Sequence, residues 1–412
     1  MALSAIVMRY GCKNIVPLLM NNYIYGLLDL SFWQYVGLTV VSFCISMMSI
    51  TLYLHRDQAH RAIDLHPILK NFFRAWLWVN SGTQTDEWVA VHRKHHAMCE
   101  REGDPHSPVV FGIRKVLLEG AELYRAEAAN QETVKKYSRG TPQDWIEHTV
   151  YKRFPNGGVW LLIIGSLFFL GAPGIIYLGI QLISMPVMAA GIINGLGHHW
   201  GYRNFECDDV STNLTPMAVV IGGEELHNNH HAFPTSAKFS VQPWEFDIGW
   251  MYICIFRALG LCEVRRVAPK PWGSSSRQVD LQTLQAVLVN RMHVLRDYTQ
   301  SVTLPVLKTE RLASQGNDML ARARKLFVVR PAKLDDVSLG RLTDMLENNQ
   351  TLKRVYELRE QLTQIWEEAN VSNEQLVEQL KQWCSDAESS GIQALEEFSA
   401  RLRAFMPQPV AA

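Results

Sequence analysis

Two long apolar blocks interrupt a chain that is otherwise mixed in polarity. From Asn14 to His55 there is no Lys or Arg, and the one acid is Asp29. From Phe154 to Tyr202 there is no Asp, Glu, Lys or Arg. A bilayer core takes about twenty apolar residues per helix, so each block is long enough for two spans and a turn. The second block turns at Gly171-Ala172-Pro173-Gly174, and the first divides near Asp29–Trp33, its first half interrupted by Asn21-Asn22. The apolar stretch from Pro67 to Thr85 differs, because it carries Lys70, Asn71, Arg74 and Asn80. If it crossed the membrane, the polar segments on its two sides would face opposite compartments. It therefore reads as a helix at the interface or within a polar domain. Ile248–Leu261 is too interrupted to span and is expected to pack on the same domain or at the interface.

Beyond Pro269-Lys-Pro271-Trp-Gly-Ser-Ser-Ser276 the pattern becomes that of soluble amphipathic helices. Leu281, Leu284, Val287, Leu288, Met292 and Leu295 form one apolar stripe, and Ser372, ahead of Gln375, and Ser389 look like helix starts. The reading is an all-α integral membrane protein with four transmembrane helices in two hairpins. Residues 1–13 are a tail, 14–54 the first hairpin, 55–153 a polar segment, 154–202 the second hairpin, 203–268 a second polar segment, and 269–412 a linker with a soluble helical extension. The segment from Arg56 to Arg153 is rich in Lys and Arg, whereas the two far-side turns have none. The positive-inside rule then places the polar segments and both termini in the cytoplasm. No cleavable signal peptide is evident. Seven scattered cysteines contain no CxxC, which indicates neither a disulfide framework nor a zinc knuckle. Forty basic residues against forty acidic ones point to no nucleic-acid partner.

The candidate chemistry lies in histidine. His55 and His60, then His92, His95 and His96, then His227, His230 and His231 account for eight of the fourteen histidines, and His198 closes the second apolar block behind Asn194. Neutral imidazole is the commonest protein ligand for iron, zinc and copper. One four-coordinate ion would leave about half of these residues unused, so nine imidazoles suit two ions. Residues at i, i+3 and i+4 share a helix face, so each HxxHH triplet is expected to project together. Asn194 and His198 stand at i, i+4. His55 and His60, five apart, are expected to wrap around a helix end without sharing a face.

This constellation resembles the membrane-bound fatty acyl desaturases, specifically the acyl-CoA Δ9 (stearoyl-CoA type) branch in a bacterial-like form. The matching pieces span roughly residues 14 to 265. They are HxxxxH at His55–His60, Glu87-Trp88 leading into HRKHH, Asp104-Pro105-His106, Asn194 and His198 followed by Gly201-Tyr202-Arg203, and Gly223-Glu224-Glu225-Leu226 leading into HNNHH-Ala-Phe-Pro. The resemblance implies two iron ions held by His55, His60, His92, His95, His96, His198, His227, His230 and His231, with Asn194 acting through a bound water. It implies dioxygen as co-substrate and a cis double bond introduced into a saturated acyl chain. It also implies a bacterial inner-membrane location for a multi-pass protein. Asp57, Asp86, Glu87, Asp104, Glu224 and Glu225 are candidates to fix imidazole tautomers. His66, His106, His148, His199 and His293 fall outside the pattern.

Such a reaction removes hydrogen from an unactivated methylene, which no side-chain base can do; a metal centre that activates dioxygen supplies that chemistry and the protein supplies ligands and orientation. Trp76, Trp78, Trp88 and Trp200 are candidate walls for the acyl chain. The chain departs from the acyl-CoA enzymes in one place. They carry Arg-Asp before the second histidine box, in contact with CoA, and here Ala90-Val91 stands there. Arg93, Lys94, Arg101, Arg114 and Lys115 remain to meet a phosphate-bearing carrier, so CoA is expected and a phospholipid or acyl-carrier protein is the alternative. No haem-attachment CxxCH, HPGG, ferredoxin cysteine set or GxGxxG is present. Electrons are therefore expected from a separate ferredoxin, rubredoxin, cytochrome or reductase. The nearest rival is a membrane di-iron hydroxylase of the same histidine-box class. A metal transporter would line its spans with the histidines, and a zinc protease would need HExxH.

Overall fold

The computed structural model describes residues 24–269, 272–273, 278–313, 323–329, 334–367 and 371–406. Residues 14–23 of the expected first hairpin lie outside these. The fold is mostly helical. Contacts divide the chain into two compact units: residues up to Arg203 together with Asp209–Ala268, and Asn204–Asp208 together with Pro269 onward.

In the first unit, α1 (Phe32–Ala59) and α6 (Pro173–Leu196) are the two helices among the described residues that are long and apolar enough to cross a membrane. The shorter apolar helix α5 (Gly157–Leu170) joins α6 at Gly171-Ala172 and packs along it. Between α1 and α5 lie α2 (Pro67–Ser81), α3 (Thr85–Met98) and α4 (Ile113–Ala128). Three of the polar residues that set Pro67–Thr85 apart have partners in the protein: Lys70 reaches Asp64 and Asp57, Arg74, itself buried, makes a two-pronged pair with Asp144, and Asn80 donates to the Trp76 carbonyl. His66 caps α2, accepting from the Ile68 amide. α4 packs against the last turns of α6, and close approach requires glycine there, since a Cβ on Gly120 would stand 2.6 Å from the Ala190 carbonyl oxygen. After α6 the chain forms the six-residue helix α7 (His227–Ala232) and then α8 (Ile248–Ala258), which Asp247 caps through the Trp250 amide. A short antiparallel pair, Ile63–Leu65 with Cys262–Val264 in register Ile63↔Val264, closes this unit.

Both long helices end in π-helical winding, over Ser49–Ala59 and Pro186–Leu196. This corrects the expectation for the first histidine pair. With i→i+5 bonding, the His60 amide donates to the His55 carbonyl at 3.0 Å, and residues five apart come onto one face. The two imidazoles meet edge to face at 4.9 Å.

The second unit is a helical core built on Leu284, Val287, Tyr298, Leu352, Leu358, Leu380, Trp383 and Phe398. The Tyr298 hydroxyl donates to the Val355 carbonyl and the Trp383 indole to the Leu358 carbonyl, both at 2.7 Å. Ser372 and Gln375 form the reciprocal cap expected of them. Ser389 does not start a helix. It sits at the C-cap of Asn373–Glu388, and the next helix begins at Gln393, after Gly391 breaks the chain direction with φ +68°.

Candidate metal centre

The centre is assembled from four ends of helix. The π-wound end of α1 delivers His55, with His60 at its cap; α3 delivers His92, His95 and His96. The turn after α6 delivers His198, and α7 delivers His227, His230 and His231. All nine candidate histidines come together, and they sort into two clusters. His55, His60, His92, His96 and His230 place their ligand atoms within 4.8 Å of one another, as do those of His95, His198 and His231. His227 joins the second group, its Nε2 lying 3.0 Å from that of His198. Neither HxxHH triplet therefore falls within one cluster. His92 and His96, one turn apart, face the first cluster and His95 the second; His230 faces the first, His227 and His231 the second. Asn194 lines the adjoining cavity with His95, His106 and His227.

Carboxylates fix the imidazole tautomers. A carboxylate only accepts, so a ring nitrogen beside one carries the proton. His55 Nδ1 donates to Glu224 at 2.7 Å, His95 Nδ1 to Asp104 at 3.0 Å, His198 Nδ1 to Glu100 at 3.2 Å and His231 Nδ1 to Asp209 at 2.9 Å. In each ring the Nε2 lone pair is left facing a cluster. Glu224 is itself held by the Thr51 hydroxyl at 2.7 Å. Burial, and then repulsion from neighbouring imidazoles, keeps His60, His92, His96, His227 and His230 well below their ordinary pKa. Burial likewise brings His198 down to about 4 against the opposing pull of Glu100. Neutral imidazole is the form that binds metal.

These groups fit metal ions better than they fit one another. His230 Nε2 lies 3.0 Å from both His55 Nε2 and His96 Nε2. One ring nitrogen holds at most one proton, and His55 Nε2 holds none, so a hydrogen-bond account leaves lone pairs opposed. A cation between them removes the conflict, and 3.0 Å is about the separation of adjacent nitrogens each about 2.1 Å from one ion. His231 Nε2, buried and without a partner, points to the same conclusion.

The clusters border a largely apolar cavity of about 160 Å³ whose walls include Met47, Ile50, Trp88, Val91, Tyr124, Ala190 and Ile193. Of the four tryptophans expected on such a wall, Trp88 is the one present, stacked flat on His92 at 4.9 Å and 13°. Trp76 and Trp78 donate to Ser46 and to the Phe154 carbonyl, and Trp200 is exposed. Phe239 lies against His55 and His230, and the buried Arg56 guanidinium stands over its ring at 3.7 Å while pairing with Asp247. This packing requires glycine at Gly223 (φ +100°), where a Cβ would stand 2.3 Å from the Asp247 carboxylate.

Of the six carboxylates expected to orient imidazoles, Asp104 and Glu224 do so. Asp57 instead accepts from the Leu65 amide, Asp86 pairs with Lys152, and Glu225 accepts from the Val220 and Ile221 amides. Glu87 is half-buried, its carboxyl raised by burial. Glu100 and Asp209 were not singled out from sequence; Glu100 follows the second box by one helical turn, whereas nothing local marks Asp209. His106, left outside the pattern, stacks on His95 at 4.4 Å, and both its buried ring nitrogens lack partners. The Asp-Pro-His match was the signal for it. Two expected carrier contacts are corrected. Arg93 is consumed by the backbone carbonyls of Gln58, Ala59, Tyr137 and Arg139, and Lys94 by Glu127.

Residues 31–245 match the family profile described as fatty acid desaturase, and residues 282–410 match one described as transposase, a minority of the chain that assigns nothing to the whole. Delta-9 acyl-lipid desaturase 1 of Arabidopsis thaliana is 31% identical over 232 residues, covering 56% of this chain and 74% of the relative. The sn-1 stearoyl-lipid 9-desaturase of Anabaena variabilis is 29% identical over 241 residues, covering 58% and 86%. Acyl-CoA 5-desaturase AL21 of Anemone leveillei is 30% identical over 242 residues, covering 56% and 70%. With its nine histidines gathered beside an apolar cavity and more than half its length matched, the chain belongs to the fatty acid desaturase family.

Proposed function

We propose that the protein is an oxygen-dependent desaturase that places a cis double bond, at Δ9, in a saturated acyl chain. The observation that carries this reading is the pair of imidazole clusters beside the cavity. His55, His60, His92, His96 and His230 would hold one iron and His95, His198, His227 and His231 the other, with Asn194 approaching the second through a water. Bound there, the irons would activate dioxygen with two electrons from a separate donor. The protein's own contribution is to keep the imidazoles neutral, fix four tautomers with carboxylates, and hold the chain against Trp88, Val91 and Ile193 where water is excluded.

The carrier we propose is a membrane lipid. The support is that Ala90 and Val91 are apolar and buried, and that Arg93 and Lys94 have partners within the protein. The relatives include both lipid-linked and CoA-linked desaturases. We further propose the four-span arrangement expected from the sequence, with α1, α5 and α6 as three of the spans, the remaining one lying mostly outside the described residues, and the histidines and both termini cytoplasmic; the far-side turns, which carry no Lys or Arg, support this orientation.

The test is the lipid profile of a host lacking its own desaturase, expressing the chain beside His95→Ala. A new cis-Δ9 monounsaturated acid in phospholipid, absent with the variant, is the expected result. A hydroxylated chain would move the protein to the oxygenase reading. In membranes, conversion of labelled acyl-CoA ahead of labelled phospholipid would overturn the lipid carrier alone.

A further inference from the structure

The second cluster contains a donor that is not an imidazole. Cys99 follows His95 by one helical turn, at the C-cap of α3, where the backbone leaves the helix (φ −46°, ψ 120°). Its sulfur lies 3.9 Å from His95 Nε2. The sulfur and the ligand nitrogens of His95, His198 and His231 all lie within 4.8 Å of one another. A nitrogen and a sulfur bound to one ion at about 2.1 and 2.3 Å stand about 3.6 Å apart at a tetrahedral angle and further apart at wider ones. The observed separation is thus that of co-ligands.

A cysteine near histidines is not by itself a site. One independent observation makes it one here. His231, whose side chain is 2% exposed, has given Nδ1 to Asp209 and leaves Nε2 buried and unpartnered in the group. His95 has given Nδ1 to Asp104, so its Nε2 accepts from the Cys99 thiol while the sulfur keeps its proton. A cation in place of that proton would engage the sulfur, the His95 lone pair and the otherwise idle His231 lone pair together.

We infer that Cys99 is a thiolate ligand of the second metal ion, giving that ion a mixed nitrogen–sulfur shell while the first has imidazole alone. The inference rests on the metal-centre reading above. On binding, the thiol loses its proton to solvent, the sulfur–metal bond forms, and no electron is transferred. The consequence is an inequivalent pair of ions, the second with the softer and more electron-donating shell.

The test uses the full chain, stripped with a chelator and reloaded with cobalt(II), whose spectrum separates thiolate from imidazole ligation. The expected result is a near-ultraviolet sulfur-to-cobalt charge-transfer band that Cys99→Ser abolishes while the visible bands of histidine-bound cobalt persist. In the unsubstituted protein, iodoacetamide should modify Cys99 in the stripped form and fail to do so after reloading, read by peptide mass; this arm does not depend on the variant folding. Two bound cobalt ions with no charge-transfer band and equal alkylation in both forms would overturn the inference and leave the metal centre standing. No cobalt uptake would overturn both.

Discussion

The two histidine clusters differ most in what stands behind them. Among the described residues, one imidazole of the first cluster, His55, is backed by a carboxylate, Glu224. In the second, His95, His198 and His231 are backed by Asp104, Glu100 and Asp209. The first instead has Phe239 and Trp88 packed on its rings. A carboxylate behind an imidazole fixes its orientation and raises its basicity. One cluster is therefore organised by packing and the other by charge, and the second cluster has the more negative surroundings.

Removing a donor from either cluster should have the largest effect. His230→Ala and His231→Ala should each cut desaturation more than about 100-fold. Metal analysis should find the first ion depleted in one variant and the second in the other. Loss of both ions in both variants would mean the clusters are one unit and erase the comparison.

Asp209→Asn should weaken the second ion by about 10–100-fold and leave the first unchanged, and Glu224→Gln should do the reverse. Stepwise metal competition distinguishes the two. Equal effects would show that charge does not separate the sites.

Acid should act on both clusters. His60, His92, His96, His227 and His230 have folded-state pKa values below their ordinary 6.5, and His198 stands at about 4. For a group depressed in this way, the unfolded chain binds the extra proton, so stability is present above pH 6.5 and is lost as pH falls toward the folded value. The metal-stripped protein should melt progressively lower between pH 7 and pH 5. A flat profile would show that the imidazoles are not held neutral.

The smallest expected effect lies outside both clusters. Burial pushes Glu147 up to about 7, against the pull of Arg74. A raised carboxyl contributes stability below its unfolded value near 4.5 and loses it as pH rises through 7. Glu147→Gln should therefore raise Tm at pH 8, by about 2–4 °C per kcal/mol recovered, and change little at pH 5. Identical shifts at both pH values would refute a titrating Glu147.

The gathering of the nine imidazoles was legible in the sequence because histidines recur there at helical spacings. Their division between two clusters was not, because i, i+3 and i+4 share a face only broadly. The difference between His95 and His96 is one residue, about 100° of rotation, and that is enough to send them to different clusters. Asp209 was illegible for another reason: it meets His231 from 22 positions away, and spacing carries no signal for a contact made by tertiary folding. Arg93 and Lys94 looked available because a sequence shows charge without partners. The sequence pattern past residue 269 announced helices, but not that Ser389 would close one.

The π-winding at the end of α1 is also a difference in residue count. A π turn holds about one residue more than the α turn it replaces, so the winding over Ser49–Ala59 fits extra residues into a continuous helix. Rewound to 3.6 residues per turn with its length unchanged, the segment would turn five residues through about 500° and set the second histidine of the pair about 140° from the first. Deleting one residue between them as well, Gln58 for example, would leave a spacing of four, which shares a face without any π turn. The winding and the spacing of five are thus matched, and a change in one is compensated only by a change in the other.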